Sequence, residues 1–283
     1  MGQHDAQLEW ERRAGRWAAG AAFVSATALV ANTVLVQAVV LQDRPTQDRG
    51  VLIAIDEYSS AFLASSFVQA LNYIGLGVVL WFLFRVTRYR REELPAWFVW
   101  LVYLGPAMFA VASVLSTIDR IDIAEEFASG GVIEGRIGER RAEDMLDDRG
   151  PVPVALGAAG TLALAFSLVL VSLNAMRAGI LSRFLGIIGI IVGVLYVIPI
   201  FGGPLIVQLF WLGALGAVFL GYWPGGRGEA WETGTAVHWP SAAERRREAL
   251  GAAAAEEVER EPGPEPEAPE QPGPSRRRRK RRR

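Results

Sequence analysis

From residue 17 to residue 223, long apolar blocks alternate with short charged connections. Six blocks stand out: Trp17–Leu41, Ala61–Phe84, Pro95–Ile118, Val152–Met176, Phe184–Phe201 and Pro204–Trp223. Each runs about 18 residues or more without Asp, Glu, Lys, Arg or His, the length needed to cross about 30 Å of hydrocarbon. Inside lipid every backbone amide and carbonyl needs an internal partner, so such runs predict helices. The period-two alternation of a barrel strand is absent. FGGP at 201–204 separates the last two blocks, its two glycines and proline marking a turn. The predicted fold class is an all-α membrane protein, a six-transmembrane-helix bundle.

Charge orients that bundle. Arginines close to the blocks fall at 12, 13 and 16, at 85, 88, 90 and 91, at 177 and 183, and at 227. Under a six-helix count all four groups lie on one side, and positive residues near span ends favour the cytoplasm. The long connection 119–150 on the other side carries ten carboxylates against five arginines. Both termini are therefore expected in the cytoplasm and the acidic loop outside. Trp17, Trp81, Trp97, Trp100 and Trp223 lie near block ends, where amphipathic rings favour the headgroup zone. The first block follows Arg12, Arg13 and Arg16 as a signal peptide would, but it exceeds the 7–15 apolar residues of a secretory h-region. It is expected to remain as a membrane helix.

Composition narrows the chemistry. There is no cysteine, which excludes disulfides, thiolate catalysis and sulfur-ligated metals. The two histidines, His4 and His238, lie outside the blocks, so paired histidine ligation of a membrane haem is not available. Without an ionisable group in any block, a proton relay lacks its usual marker. Lys280 is the only lysine among 29 basic residues, a bias of GC-rich bacterial genomes. No catalytic, cofactor-binding or metal-binding residue is assigned, and no cofactor is expected.

Uncharged polar residues do enter the blocks, notably Ser25, Asn32, Thr33 and Gln37 in the first and Ser65, Gln69, Asn72 and Tyr73 in the second. Ser65, Gln69 and Asn72 follow four- and three-residue steps and share one helix face. Asn32, Gln37, Ser65, Gln69 and Asn72 are the candidate polar face, either a pocket for a small neutral or amphipathic ligand or an interhelical hydrogen-bonding seam. Packing is the favoured reading. Small residues at four-residue spacing, Gly189/Gly193, Gly213/Ala217/Gly221 and Ala18/Ala22/Ala26, make grooves for close helix approach, within one chain or in a homo-oligomer. Gly105-Pro106 in the third block predicts a kink.

Outside the blocks, residues 1–16 form a cytoplasmic N-terminal segment ahead of the domain 17–223. The acidic loop is expected to hold short helices around 119–128 and 138–147, split by a Gly-rich break at 130–138. It lacks the spacing of a calcium loop. Within 224–257, Trp231 and Trp239 are expected to dock on cytoplasmic headgroups, and the Ser241–Glu244 capping box predicts a helix over 242–257. Residues 258–283 read as a disordered tail: a proline- and glutamate-rich linker, then eight basic residues, Arg276, Arg277, Arg278, Arg279, Lys280, Arg281, Arg282 and Arg283. Tethering favours anionic lipid headgroups as the tail's partner, with RNA or the ribosome as competitor.

The stretches RVTRYRREELPAWFVWLVYLGP, NAMRAGILSRFLGIIGIIVGVLY and WPGGRGEAWETGTAVHWPSAAERRR resemble a widespread family of uncharacterised bacterial multi-helix integral membrane proteins, the last stretch its actinobacterial members. The resemblance covers about residues 17–247 and implies a multi-pass protein of the bacterial plasma membrane. It implies no reaction, the family being of unknown function. Three readings follow: a non-enzymatic structural or interaction component acting through its polybasic tail; a small permease or ligand-binding protein using the polar face; and a membrane enzyme whose acids would be Asp56, Glu57 and Asp119. The first is preferred.

Overall fold

The structure is a computed structural model that describes residues 3–42, 45–148, 150–198, 204–224, 226–237, 246–247 and 250–251. The chain divides into two units, Met1–Trp239 and Pro240–Arg283. Of the second, only Arg246, Arg247, Leu250 and Gly251 are described, and all four are helical. The rest of the expected 242–257 helix, His238, Trp239, the linker and the tail Arg276–Arg283 lie outside the described residues, as do 201–203 of FGGP.

The first unit is helical, with no strand among the described residues. Its elements are α1 (Gln3–Val34, running on through a π-helical turn Leu35–Val40), α2 (Asp48–Glu57), α3 (Ser59–Arg90), α4 (Val99–Ser129), α5 (Gly135–Asp147), α6 (Pro151–Arg177), α7 (Arg183–Val197), α8 (Leu205–Leu220) and α9 (Glu229–Thr233). Four helical stretches are long and apolar enough to cross a membrane: His4–Val40, Ser59–Arg90, Ala96–Ser129 and Pro151–Arg177. The other two apolar helices, α7 and α8, are shorter, at 15 and 16 residues. At about 1.5 Å per residue they measure roughly 22–24 Å.

Packing order is a closed up-and-down ring. α1 lies against α3, α3 against α4, α4 against α6, α6 against α7, α7 against α8, and α8 returns to α1. Small residues set the closest crossings. A Cβ on Gly75 would stand 2.9 Å from the Ala21 carbonyl oxygen of α1, beside the buried Ala18, Ala22 and Ala26. On α4, a Cβ at Gly105 would come within 2.7 Å of the Leu164 amide nitrogen of α6. Gly189 and Gly193 press α7 onto α6 at Ser172 and Ala165, so this pair packs the monomer. The Gly213/Ala217/Gly221 groove is not found. Gly213 faces open space and Gly221 ends α8 in the left-handed region, whereas Gly216, off that ladder, receives the Phe23 ring.

The two ends of the ring differ. At one, here called the basic end, lie the start of α1, the end of α3, the α6–α7 turn and residues 221–237. The other is covered by α2 and α5. Here one element is new and one expectation changes. The connection after the first apolar block folds into α2, whose Leu52 and Ile55 join Val40, Phe62, Ala124, Phe127 and Ala142 in a separate apolar cluster. And 119–128 is no separate helix, because α4 runs unbroken from Val99 to Ser129, through Pro106. Only α5 is independent, starting at Gly135. Its charges are used structurally. Glu139 accepts from the amides of Asp48 (2.9 Å) and Arg49 (3.4 Å) at the α2 N-terminus, and Arg141 donates to the Phe127 and Glu126 carbonyls (both 3.0 Å) near the α4 C-terminus. Each charge opposes the partial charge of the helix end it meets.

Candidate functional site

Two groups of polar side chains lie inside the ring. The first centres on Asn72, which α3 carries inward at a fully buried position. Ser25 of α1 donates to both the Asn72 backbone carbonyl and its Oδ1, each at 2.8 Å. From α8, Gln208 Nε2 approaches the same Oδ1 at 3.4 Å, and its own Oε1 accepts from the Tyr196 hydroxyl of α7 at 2.8 Å. One turn along α3, Gln69 Nε2 donates to the Tyr73 hydroxyl at 2.9 Å. Tyr73 and Tyr196 flank the Phe109 ring, with centroids 4.7 and 5.6 Å away. The network therefore ties α1 and α3 to α7 and α8.

The five residues of the sequence-predicted face are not all brought together. Ser65 is buried, but its hydroxyl bonds the Phe62 carbonyl of its own helix. Asn32 is half-buried and Gln37 exposed on the outer part of α1, two or more turns beyond Ser25. Only Asn72 and Gln69 lie in or beside the network, and Ser25, Tyr196 and Gln208 complete it. Two atoms of this region, Gln69 Oε1 and Asn72 Nδ2, are buried without a hydrogen-bond partner in the protein. In a low-dielectric interior an unpaired amide atom is costly, and each of these two retains an unused hydrogen-bonding capacity. Of the acids named for an enzyme, Asp56 and Glu57 occupy the last turn of α2 and Asp119 the body of α4.

The second group closes the basic end. Arg90, the last residue of α3, makes a bidentate pair with Glu11 of α1, Nη1 to Oε1 at 2.7 Å and Nη2 to Oε2 at 2.8 Å. Its Nε donates to the Ala230 carbonyl of α9 at 2.8 Å. Gln7 adds a donor to Glu11 Oε1 at 2.9 Å. One guanidinium thus joins three chain segments, and its planar fork suits this geometry.

Trp231 sits beside that pair and corrects an expectation. It does not rest on headgroups. At 7% exposure it enters the bundle, stacked on Phe82 (6.1 Å, 24°) and edge-on to Phe219 (6.3 Å, 62°). Its Nε1 donates to the Ile180 carbonyl at 2.9 Å, in the α6–α7 turn. The turn accommodates it because Gly179 has φ +76, where a side chain would collide with the Val237 carbonyl. Val237 in turn donates its amide to the Ala178 carbonyl at 3.3 Å. Arg227 reaches back from the same segment to the carbonyls of Val218 (3.2 Å) and Phe219, covering the end of α8. Burial lowers the Arg227 pKa from its ordinary value, Glu11 opposes that shift, and Arg16 adds to it. Sequence reasoning missed both Glu11 and the seat of Trp231. Gly228 and Gly234, whose positive φ values bracket α9, mark the ends of that short helix but not where it packs.

Comparison with protein families, with curated proteins and with solved structures found no match.

Proposed function

We propose that the chain is a six-span integral protein of a bacterial cytoplasmic membrane, with the basic end in the cytoplasm. In this reading it is a non-enzymatic structural or interaction component whose tail, Arg276–Arg283, contacts anionic lipid headgroups. One observation carries the membrane reading. Large apolar side chains such as Phe67, Ile74, Phe166, Phe184 and Phe210 point outward all around the ring, while Asn72, Gln208 and Ser25 point inward and are buried. In water that distribution would be reversed. The short α7 and α8 are compatible with crossing, because a short helix is accommodated by thinning of the bilayer at a modest cost.

The interaction role is supported by how the interior is used. The polar network spends most of its capacity on interhelical bonds, and the basic end is closed by Trp231 and the Arg90–Glu11 pair. The sequence ends in eight basic residues, each contributing about 1 kcal/mol near an anionic leaflet. Seven glutamates between residues 256 and 274 oppose it. The test places a photoreactive residue at Ser275 of the full chain in native membranes. Adducts with anionic lipid are expected to predominate; adducts mainly with RNA would replace lipid by the ribosome or RNA as partner.

A second reading, a small permease or ligand-binding protein, draws on the unpartnered Gln69 Oε1 and Asn72 Nδ2. Its test is a thermal-shift screen with small neutral and amphipathic compounds. A compound that stabilises the natural chain and not Asn72→Ala would establish it over the interaction role.

A further inference from the structure

Two clefts on the outer wall meet at one residue. The first, about 450 Å³, opens at the basic end between the start of α1, the last turns of α3 and the start of α4, where Gln7, Arg85, Arg88, Tyr89 and Trp81 line it. The second, about 280 Å³, is an apolar furrow between α3 and α4, lined by Gly77, Val78, Pro106 and Ala107, and again by Trp81. Moving up α3 from Gly77 through Trp81 to Arg88, the wall changes from apolar to cationic. The missing side chain at Gly77 opens the furrow floor, since a Cβ there would stand 3.1 Å from Pro106 Cβ.

One of the two cations at the mouth is held in place. Arg85 lies over the rings of Trp10 (4.6 Å) and Trp81 (5.6 Å), which keep the guanidinium at the rim by cation–π attraction. Arg90, one turn further, is consumed by Glu11, whereas Arg85 and Arg88 have no carboxylate partner among the described residues. Both are exposed. Two unpaired guanidiniums above an apolar furrow match a molecule with an anionic head and a hydrocarbon tail. Arginine forks bind phosphate in bidentate fashion, and basic pockets between membrane helices on the cytoplasmic side take anionic headgroups.

We propose that this composite groove holds one anionic glycerophospholipid, its phosphate on Arg85 and Arg88 and one acyl chain in the furrow along Gly77 and Pro106. The site is distinct from the polybasic tail, and it rests on the membrane reading given above. It places a bound lipid against α1, α3 and α4 together, so the lipid would join the three helices at their basic ends.

The experiment is native mass spectrometry of the full chain released from detergent, with phosphatidylglycerol or phosphatidylcholine supplied in equal amounts. The natural chain should keep one phosphatidylglycerol with at least tenfold preference. Arg85→Gln/Arg88→Gln should reduce that preference below twofold. Ala107→Trp, at an exposed position, should fill the furrow and lower retention of both lipids at least fivefold without touching a charge or the tail. Glycerophosphoglycerol, the water-soluble headgroup alone, should not be retained. Thermal unfolding identifies any variant that fails to fold, and Val78→Trp then serves as the second furrow block. Unchanged retention in the folded variants, or retention of the headgroup as good as that of the whole lipid, would overturn the proposal. Extraction from the membrane pellet by detergent alone is scored separately, so a failed groove and a failed membrane reading give different results.

Discussion

Arg90 and Glu11 meet across the α3–α1 seam with side chains only 0% and 3% exposed, the closest ion pair among the described residues. A buried pair repays its desolvation only when the geometry is close and the remaining donors are satisfied. Here the remaining guanidinium donors reach the Ala230 and Val86 carbonyls at 2.8 and 3.1 Å. Removing one partner leaves an uncompensated charge. Glu11→Ala should therefore destabilise the detergent-solubilised chain by about 3–5 kcal/mol. Glu11→Met/Arg90→Met should recover more than half of that loss, because no charge is then left buried. Denaturant unfolding of the three chains measures it; a double variant no more stable than Glu11→Ala would mean that the pair does not couple α1 to α3.

Trp231 is the second fastening at this end. Trp231→Ala removes ring packing against Phe82 and Phe219 and should cost about 3–5 kcal/mol. Trp231→Phe keeps an aromatic ring but strips the Ile180 carbonyl of its donor, at about 1–3 kcal/mol. Limited proteolysis should cut residues 222–237 of Trp231→Ala before the bundle itself opens. Equal resistance of that segment in the natural and Ala chains would place its anchor elsewhere.

Close crossings should respond to single methyl groups. Gly105→Ala places a Cβ against the Leu164 backbone, which no side-chain rotation can relieve. Overpacking of this kind costs about 1–3 kcal/mol. Gly213→Ala meets nothing within 4 Å and should be neutral or slightly stabilising through helix propensity. Thermal unfolding of the two variants in one detergent decides it, and equal effects would contradict the α4–α6 crossing.

Asn72→Ala removes the acceptor shared by Ser25 and Gln208. Interhelical hydrogen bonds in membranes average about 0.6 kcal/mol, so a loss on the order of 1 kcal/mol is expected. A loss several times larger, measured in the same unfolding assay, would show that the network acts as more than a set of pairwise bonds.

What was legible in the sequence followed from hydrophobic length and small-residue spacing. The α3 and α6 spans, the Gly189/Gly193 seam and the Ala18/Ala22/Ala26 face all depend on local composition, which a one-dimensional pattern records. What was not legible depends on partners distant in the chain. Glu11 looks like any carboxylate in a charged N-terminal segment until Arg90, 79 residues later, is placed beside it. Trp231 carries the same local signature as an interfacial tryptophan, and only the fold-back of α9 onto the α6–α7 turn distinguishes them. The α2 helix was hidden because its apolar residues, Leu52 and Ile55, face a cluster made mainly by other elements. Asn72 was visible as a polar residue within an apolar block, but Ser25, Tyr196 and Gln208 join its network from three other helices.

The central claim is that six helices cross the membrane with the basic end in the cytoplasm. The chain has no cysteine, so each introduced thiol is the only one present. Val132→Cys, in the turn between α4 and α5, and Leu205→Cys, at the start of α8, report the capped end. Arg12→Cys in α1 and Tyr222→Cys just past α8 report the basic end. In intact spheroplasts a membrane-impermeant maleimide should label Val132→Cys and Leu205→Cys, and should reach Arg12→Cys and Tyr222→Cys only after permeabilisation. Protection of Leu205→Cys with labelling of Val132→Cys would mean that α7 and α8 do not both cross, and labelling of Arg12→Cys or Tyr222→Cys from outside would contradict the orientation.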